Sequence, residues 1–298
     1  MRVTVVILTC NRLNYLLQAL QSVLKQKLND PYSLKIVVSD NSTNSDTENH
    51  FLSHVYDQVS YIRRIPNVSG IEHYNLVLNE IDSDFFMIFH DDDIMGDHMI
   101  EKLLTGFSPT VVAVACNTYI IEGNTITKKK LVKDAYTPIP IHTQKELINC
   151  FMLRRGGPPF PSYLYRNVVS QLRLDPWYKK HGDVHFVSQV LTLGDIYFIK
   201  EPLFYYRLHS GQDSFYSDFI GISRLVNYGI KVCGYSRKDK PVIDWRLSNI
   251  YGEYRVQLLS NSMPSWRRMA HFITFCIVTG NVVLIAILLV RYIQYKLD

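Results

Sequence analysis

Short apolar runs that each end in a polar cluster are the strongest constraint on how this chain folds. Residues 3–9, 34–38 and 85–89 are nearly continuous apolar runs, as in strands buried on both faces of a parallel sheet. Apolar residues recur at helical spacing over 13–24, after the candidate helix cap Asn11, and again over 71–81. This alternation predicts an α/β fold with a Rossmann-like, mostly parallel sheet and helices on both faces.

The polar clusters lie where the predicted strands end. They comprise Thr9, Asn11 and Arg12 after the first run, Asp40 after the second, and Asp91, Asp92 and Asp93 after the third. Ligands of open α/β sheets bind outside the carboxyl ends of the strands. Three polar clusters on one edge therefore predict a binding site at that edge.

The acidic triplet is the strongest local signal. Adjacent carboxylates repel each other, so a loop that holds three of them is typical of a site for a hard cation such as Mg²⁺ or Mn²⁺, which also bridges substrate phosphates. The alternative is a helix N-terminus, where aspartate is favoured, because 94–104 has a helical pattern. The preceding strand and the two other clusters favour a site for metal and phosphate.

Two residues further along the chain are also candidates. His209 ends a strand-like segment before Ser210-Gly211, where a turn would aim its imidazole into a cleft to complete a metal shell; a structural role is the alternative. Asp183 opens an apolar-periodic segment and is the best candidate for a general base. The helix dipole also favours a carboxylate at a helix start, which is the simpler explanation of Asp183.

Composition and missing motifs exclude several classes of protein and of binding partner. With 47% hydrophobic and 20% charged residues, the chain can bury a sizeable core. The net charge of +5 is too small to indicate nucleic acid, but it suits a phosphate-bearing substrate or a membrane surface. Five scattered cysteines without a CxxC pair indicate reduced thiols in the cytosol. The chain lacks GxGxxG, GxxxxGK[ST], GxSxG and HExxH, which disfavours dehydrogenases, P-loop kinases, serine hydrolases and zincins.

Over about residues 1–215 the chain resembles glycosyltransferase family 2, the inverting enzymes with a GT-A fold. The resemblance rests on the order and spacing of VTVVILTCNR, KIVVSDNST, FFMIFHDDDI, HGDVHF and EPLFYYRLH. It implies a nucleotide-sugar donor, with a UDP- or dTDP-sugar favoured, and Mn²⁺ or Mg²⁺. It also implies that Thr9, Asn11 and Arg12 border the nucleotide and that Asp40 contacts its base or ribose.

The resemblance further implies a metal site and a catalytic base. Asp91, Asp92, Asp93 and His209 would hold the metal, with Asp91 also at the donor. The register of the DxD motif stays open, because Asp91 and Asp93 form a literal DxD whereas alignment on the following Ile places His90 first.

Asp183 matches the aspartate that serves as base in the family, although Gly182 stands where the family has Glu. One carboxylate is enough for a single, inverting displacement, in which the base takes the proton of the attacking hydroxyl.

Two segments suggest a lipid-linked acceptor. Residues 272–290 carry no charge and as a helix would be about 28 Å long, close to the ~30 Å hydrocarbon core of a bilayer. Such a helix would span the bilayer, lie in its interface or pack on the catalytic domain. The candidate acceptor-binding residues are the basic loop Arg154, Arg155, Gly156 and Gly157, which suits a lipid diphosphate. The aromatic residues Phe160, Tyr163, Trp177 and Tyr178 are either a sugar platform or ordinary core.

We therefore expect a nucleotide-sugar-binding half over 1–120, an acceptor-binding and catalytic half over 121–215, and a C-terminal helical region over 216–298. The expected function is metal-dependent transfer of one sugar to a lipid-linked or oligosaccharide acceptor, as in bacterial O-antigen or capsule synthesis, at the inner face of the cell membrane. Two alternatives stay open. A nucleotidyltransferase would need a basic triphosphate loop, where only Arg12 stands. An inactive nucleotide-sugar-binding subunit is disfavoured by the complete set of candidate catalytic residues.

Overall fold

The computed structural model describes residues 1–123, 125–132, 139–152, 157–209 and 218–234. The strands are β1 Arg2–Thr9, β2 Ser33–Asp40, β3 Val59–Arg63, β4 Phe85–His90, β5 Ile94–Met95, β6 Val111–Glu122, β7 Thr125–Lys130, β8 Leu164–Arg166 and β9 Asp195–Leu208. The helices are α1 Leu13–Leu24, α2 Asp46–Ser53, α3 Gly70–Asn79, α4 Met99–Leu104, α5 Gln144–Met152, α6 Gly182–Val190 and α7 Phe219–Val232.

The strands form one mixed sheet in the order β3-β2-β1-β4-β8-β6-β9-β5, with β7 paired to β6. Strands β1, β2, β3, β4, β6 and β9 run in one direction, and the short strands β5, β7 and β8 run against them. The mostly parallel sheet that the sequence predicts is confirmed.

Alternate residues of the central strands supply two separate cores, one on each face of the sheet. Val3, Val5 and Ile7 of β1 pack in one core with α1 and α4, whereas Val6 packs in the other with α3 and α6. This follows from the period of two along a strand, which sends successive side chains to opposite faces. Because helices cover both faces of the sheet, the side chains on both faces are apolar, and the strands are continuous apolar runs in the sequence.

Strand pairing places the carboxyl ends of β1, β2 and β4 level with one another. Thr9 lies opposite Asp40, and Leu8 lies opposite His90. The three polar clusters thus leave the sheet at the same edge, as the sequence predicts.

Local structure differs from the sequence patterns at three places. Asn11 does not cap α1; it adopts a left-handed conformation (φ 57°), and its side chain bonds Thr43 instead. The helical pattern over 94–104 splits, because Ile94 and Met95 pair with β9 and only Met99–Leu104 is helical. Proline usually interrupts a strand, but β9 continues through Pro202 with a register shift in its pairing with β6.

The chain divides into two compact units. The larger contains the sheet and the helices that cover it. The smaller contains α7 and the segment Pro176–Gly182, and within it the Tyr178 and Tyr228 rings meet edge to face at 5.9 Å. No helix among the described residues has the length and apolarity needed to cross a bilayer. The apolar segment 272–290 lies outside the described residues.

Gly96 allows the chain to pass close to β9 just after the acidic triplet. Its N–H donates to the carbonyl of Leu203 at 2.9 Å, and a Cβ at this position would lie 2.6 Å from that oxygen. We expect Gly96→Ala to lower the free energy of unfolding by about 1–3 kcal/mol, because the backbone must shift. Denaturant unfolding measures this change. The control is Gly70→Ala, where nothing lies within 4 Å, and equal effects of the two variants would contradict the prediction.

His73 makes stability depend on pH. Its Nε2 lies 2.8 Å from Ser39 Oγ, and burial, with a contribution from Arg64, lowers its pKa to about 4. Its contribution to stability is complete above pH 6.5, the ordinary pKa, and is lost as the pH falls towards 4, because the unfolded chain then binds the proton more readily.

We therefore expect the stability advantage of the wild type over His73→Gln to shrink by about 3 kcal/mol between pH 7 and pH 4. Urea unfolding of both proteins at a series of pH values measures this. The control is His54→Gln, which removes an exposed histidine. A constant difference across the pH range would show that His73 is not the group responsible.

Candidate active site

The acidic triplet lies buried in the loop between β4 and β5. The exposed fractions of Asp91, Asp92 and Asp93 are 3%, 9% and 1%. Their positions follow from β4, which ends at the level of β1 and β2, and from β5, which ties the far side of the loop to β9. Buried carboxylates need partners, so the contacts of each one show what the site can bind.

Asp91 faces β1. Its Oδ2 accepts a hydrogen bond from Thr9 Oγ1 at 2.8 Å and a longer one from the Cys10 N–H, and its Oδ1 lies 3.3 Å from Arg12 Nη1. Burial raises the pKa of Asp91 to about 6, although Arg12 and Thr9 act in the opposite direction. The structure thus brings Thr9 and Arg12, two residues expected at the donor, to Asp91.

Among the described residues, His90, Asp92 and Asp93 form a group that can hold a metal ion. One ligand atom from each lies within 4.8 Å of the others. Asp93 Oδ2 is buried and has no hydrogen-bond partner in the part of the chain that the structure describes. Burial together with the nearby negative charge of Asp92 raises the pKa of Asp93 well above its usual value. An unpartnered carboxylate oxygen beside one nitrogen and one further oxygen ligand fits Mn²⁺ or Mg²⁺.

His209 supports this group through Asp92. Its Nε2 lies 3.0 Å from Asp92 Oδ2. Burial disfavours the charged form of Asp92, but His90, His209 and Arg12 outweigh burial and lower its pKa. Of the residues expected at the metal, the structure groups Asp92 and Asp93 with His90, and it places Asp91 and His209 beside that group.

Arg207 is a site residue that the sequence analysis missed. It is buried, its N–H donates to Asp93 Oδ1 at 3.0 Å, and its Nε donates to the carbonyl of Asp92 at 2.9 Å. Its Nη2 also donates to Gln18 Oε1 in α1 at 2.9 Å. The sequence signal for Arg207 is its position two residues before His209. Side chains two residues apart along an extended segment point to the same side.

Asp40 is buried at the end of β2 and already has several partners. Its Oδ1 accepts from the Ser42 N–H at 2.8 Å, and its Oδ2 accepts from Tyr61 at 2.7 Å and Arg63 at 2.6 Å. Burial acts to raise the pKa of Asp40, but these hydrogen bonds outweigh it and lower the pKa. Asp40 therefore fixes Arg63 and the start of the β2–α2 loop, where Asn11 is also anchored through Thr43.

A cavity of about 340 Å³ is lined by both Asp183 and His90. Asp183 lies in the first turn of α6, where its Oδ1 accepts the N–H of Val184 at 2.7 Å. The other described lining residues are mainly apolar: Leu131, Leu147, Phe151, Pro158, Pro159, Phe160, Pro161, Val184 and Val187, with Gly157, Tyr163 and Tyr206. The candidate base and one candidate metal ligand thus face the same space.

The residues expected to bind the acceptor lie in different parts of the chain. Gly157 lines the cavity, whereas Arg154, Arg155 and Gly156 lie outside the described residues. Phe160 and Tyr163 also line it, although Tyr163 is fully buried in the core. Trp177 lies in the smaller unit with Arg224 stacked 3.6 Å from its ring centroid. Of the four aromatic residues, Phe160 and Tyr163 thus belong to the larger unit and Trp177 and Tyr178 to the smaller one.

Comparison with known proteins agrees with this architecture. Residues 4–160, just over half of the chain, match glycosyl transferase family 2. A sequence search of curated proteins gave no significant match. Among solved structures, residues 1–349 of S. aureus TarS in complex with UDP-GlcNAc align with a TM-score of 0.56 at 12% identity, over 85% of this chain and 81% of that one.

A second similar structure is the mannosyltransferase PcManGT from Pyrobaculum calidifontis in complex with GDP-Man and Mn²⁺. It aligns with a TM-score of 0.53 at 14% identity, over 93% of this chain and 80% of that one. At such identities the likeness shows the GT-A fold. The family match and the shared fold together show that the chain belongs to glycosyltransferase family 2.

Proposed function

We propose that this protein is a metal-dependent, inverting glycosyltransferase that moves one sugar from a nucleotide-sugar donor to a hydroxyl group of its acceptor. The observation that carries this proposal is the cavity shared by Asp183 and His90. A transferase must hold the acceptor hydroxyl beside a base and the departing diphosphate beside positive charge. The cavity has a carboxylate at one part of its wall and a member of the metal-binding group at another.

The donor side is the edge formed by β1 and β2. Thr9, Asn11, Arg12 and Asp40 lie at the carboxyl ends of these strands or in the following loops. Hydrogen bonds of Asn11 join the two loops, since the Thr43 N–H donates to Asn11 Oδ1 and the Asn11 N–H donates to Ser42 Oγ. The TarS and PcManGT structures were solved with UDP-GlcNAc and GDP-Man, which supports a nucleotide-sugar donor here. We favour a UDP- or dTDP-sugar.

His90, Asp92 and Asp93 are the residues that would hold the metal ion, with His209 fixing Asp92. When bound, Mn²⁺ or Mg²⁺ neutralises negative charge that develops on a diphosphate leaving group. Arg207 holds the acidic loop in place through Asp92 and Asp93. Arg12 supplies a second positive charge at the donor side of the loop.

Asp183 is the proposed base. It takes the proton from the acceptor hydroxyl as that oxygen attacks the anomeric carbon from the face opposite the leaving group. A retaining double displacement would need a second carboxylate as nucleophile. Among the described residues that line the cavity, Asp183 is the only carboxylate, which supports a single displacement with inversion.

The acceptor that we favour is a polyprenyl-diphosphate-linked glycan. Phe151 and Gly157 both line the cavity, and Arg154 and Arg155 lie between them in the sequence, so two cations suited to a diphosphate belong to this segment. These two arginines and the uncharged segment 272–290 support sugar transfer at the inner face of a bacterial membrane, to an O-antigen or capsule repeat. Membership of a glycosyltransferase family disfavours a nucleotidyltransferase, and the presence of both Asp183 and the metal-binding group disfavours an inactive binding subunit.

The base and the metal-binding group can be separated by mutation. We expect Asp183→Asn to reduce transfer by about 10²- to 10⁴-fold and to leave donor affinity within about twofold of the wild type, because the amide cannot accept the proton. Asp92→Asn should instead weaken Mn²⁺-dependent donor binding. Calorimetry and a product assay measure the two effects, with the exposed Asp82→Asn as control. Equal loss of donor affinity in the Asp183 and Asp92 variants would overturn the assignment of the base.

The metal requirement is tested by titrating UDP-, dTDP- and GDP-sugars into the protein with Mn²⁺ and with EDTA. We expect one nucleotide class to bind with Mn²⁺ and to bind at least about tenfold more weakly with EDTA, since the buried carboxylates then repel the diphosphate. The anomeric configuration of the product, read by NMR, tests inversion. Binding that EDTA leaves unchanged would contradict the metal assignment, and a product with retained configuration would contradict the single displacement.

A further inference from the structure

Two arginines flank the acidic loop, and they are held differently. Arg207 is buried, and its guanidinium donates to the carbonyl oxygens of Asp92 and Gly123. The side chain of Arg12 is 39% exposed, and its Nη1 lies 2.8 Å from Asp92 Oδ2 and 3.3 Å from Asp91 Oδ1. Arg207 is therefore fixed in the interior by backbone groups, whereas Arg12 rests on carboxylates at the solvent boundary.

The position of Arg12 conflicts with a cation on the neighbouring group. Asp92 belongs to the set with His90 and Asp93, so a divalent ion there would share this carboxylate with the guanidinium. Two cations on one carboxylate repel each other strongly in a site with little solvent. An arginine side chain cannot lose its proton, so movement of Arg12 away from Asp92 relieves the repulsion.

A diphosphate gives Arg12 a place to move to. It carries several negatively charged oxygens, and the planar fork of a guanidinium binds phosphate oxygens with paired hydrogen bonds. Arg12 follows β1 at the start of α1, on the edge where the proposed donor binds. Its partly exposed side chain can leave the two carboxylates on the solvent side, whereas the guanidinium of Arg207 is held by backbone carbonyls in the interior.

We propose that Arg12 is an exchangeable counter-cation that balances Asp91 and Asp92 while no donor is bound and moves to the donor's diphosphate when it arrives. This inference rests on the proposed function, from which it takes both the metal ion and the diphosphate. The exchange frees Asp92 for the metal ion, so donor and metal ion bind with positive coupling. The protein then holds its metal ion weakly until a donor is present.

This coupling differs from the coupling expected when a metal ion simply bridges protein and diphosphate. With bridging alone and an Arg12 that does not move, removal of the Arg12 charge changes the affinity for the metal ion by the same factor with and without nucleotide. The exchange predicts that this removal raises the affinity without nucleotide and has a smaller effect when nucleotide is bound.

The test measures Mn²⁺ binding to the whole chain by the EPR signal of free Mn²⁺, first without nucleotide and then with UDP or GDP. The proteins are wild type, Arg12→Gln, Arg12→Met and Arg2→Gln, with folding checked by circular dichroism. Arg2→Gln removes one positive charge from a surface pair with Asp82 and is the matched control. If one Arg12 variant does not fold, the other still provides the comparison.

We expect both Arg12 variants to bind Mn²⁺ about tenfold or more tightly than the wild type without nucleotide, and Arg2→Gln to bind like the wild type. The increase in Mn²⁺ affinity caused by the nucleoside diphosphate should be smaller in the Arg12 variants. Equal or weaker Mn²⁺ binding by the folded Arg12 variants without nucleotide would overturn this inference alone. If no protein binds Mn²⁺ with or without nucleoside diphosphate, the proposed metal site itself fails.

Discussion

Parallel pairing of β1 with β2 on one side and β4 on the other is the interaction on which the site depends. It sets Thr9 opposite Asp40 and Leu8 opposite His90, so the three polar clusters leave the sheet at one level. A slip of one residue would turn every side chain of β1 to the other face, moving Val3, Val5 and Ile7 out of one core. The register that builds the two cores is therefore the register that assembles the site.

The site concentrates negative charge where water cannot screen it. Burying three adjacent aspartates is unfavourable unless each has a partner. Thr9 and Arg12 contact the carboxylate of Asp91, and Arg12 and His209 contact the carboxylate of Asp92. The N–H of Arg207 donates to Asp93. Among the described residues one oxygen of Asp93 has no hydrogen-bond partner, so these residues do not fully compensate the charge of the loop. A divalent ion has the charge and the preference for oxygen ligands that fit this oxygen and the remaining negative charge of the loop.

The amino-acid sequence predicts the central strands and their polar ends because both signals are local. A buried parallel strand is a continuous apolar run, and the cluster that follows it is read directly from the next few residues. The membership of His90 in the metal-binding group is not local, since it depends on where β4 stops relative to its neighbours. The partners of Asp40 on β3 are likewise set by pairing of β3 with β2, which brings Tyr61 and Arg63 to it from more than 20 residues away.

Strand β9 shows how long-range pairing positions Arg207 and why the cavity wall and the acidic loop are linked. Its pairing with β5 brings residues more than 110 positions apart in sequence into contact at the acidic loop. Successive side chains on a strand point to opposite faces, so Tyr206 lines the cavity while the Arg207 side chain reaches the carbonyl of Asp92. His209, two residues beyond Arg207, reaches Asp92. Tyr206 in the cavity wall and Arg207 beside the metal-binding group are therefore consecutive residues of β9. The position of one fixes the position of the other.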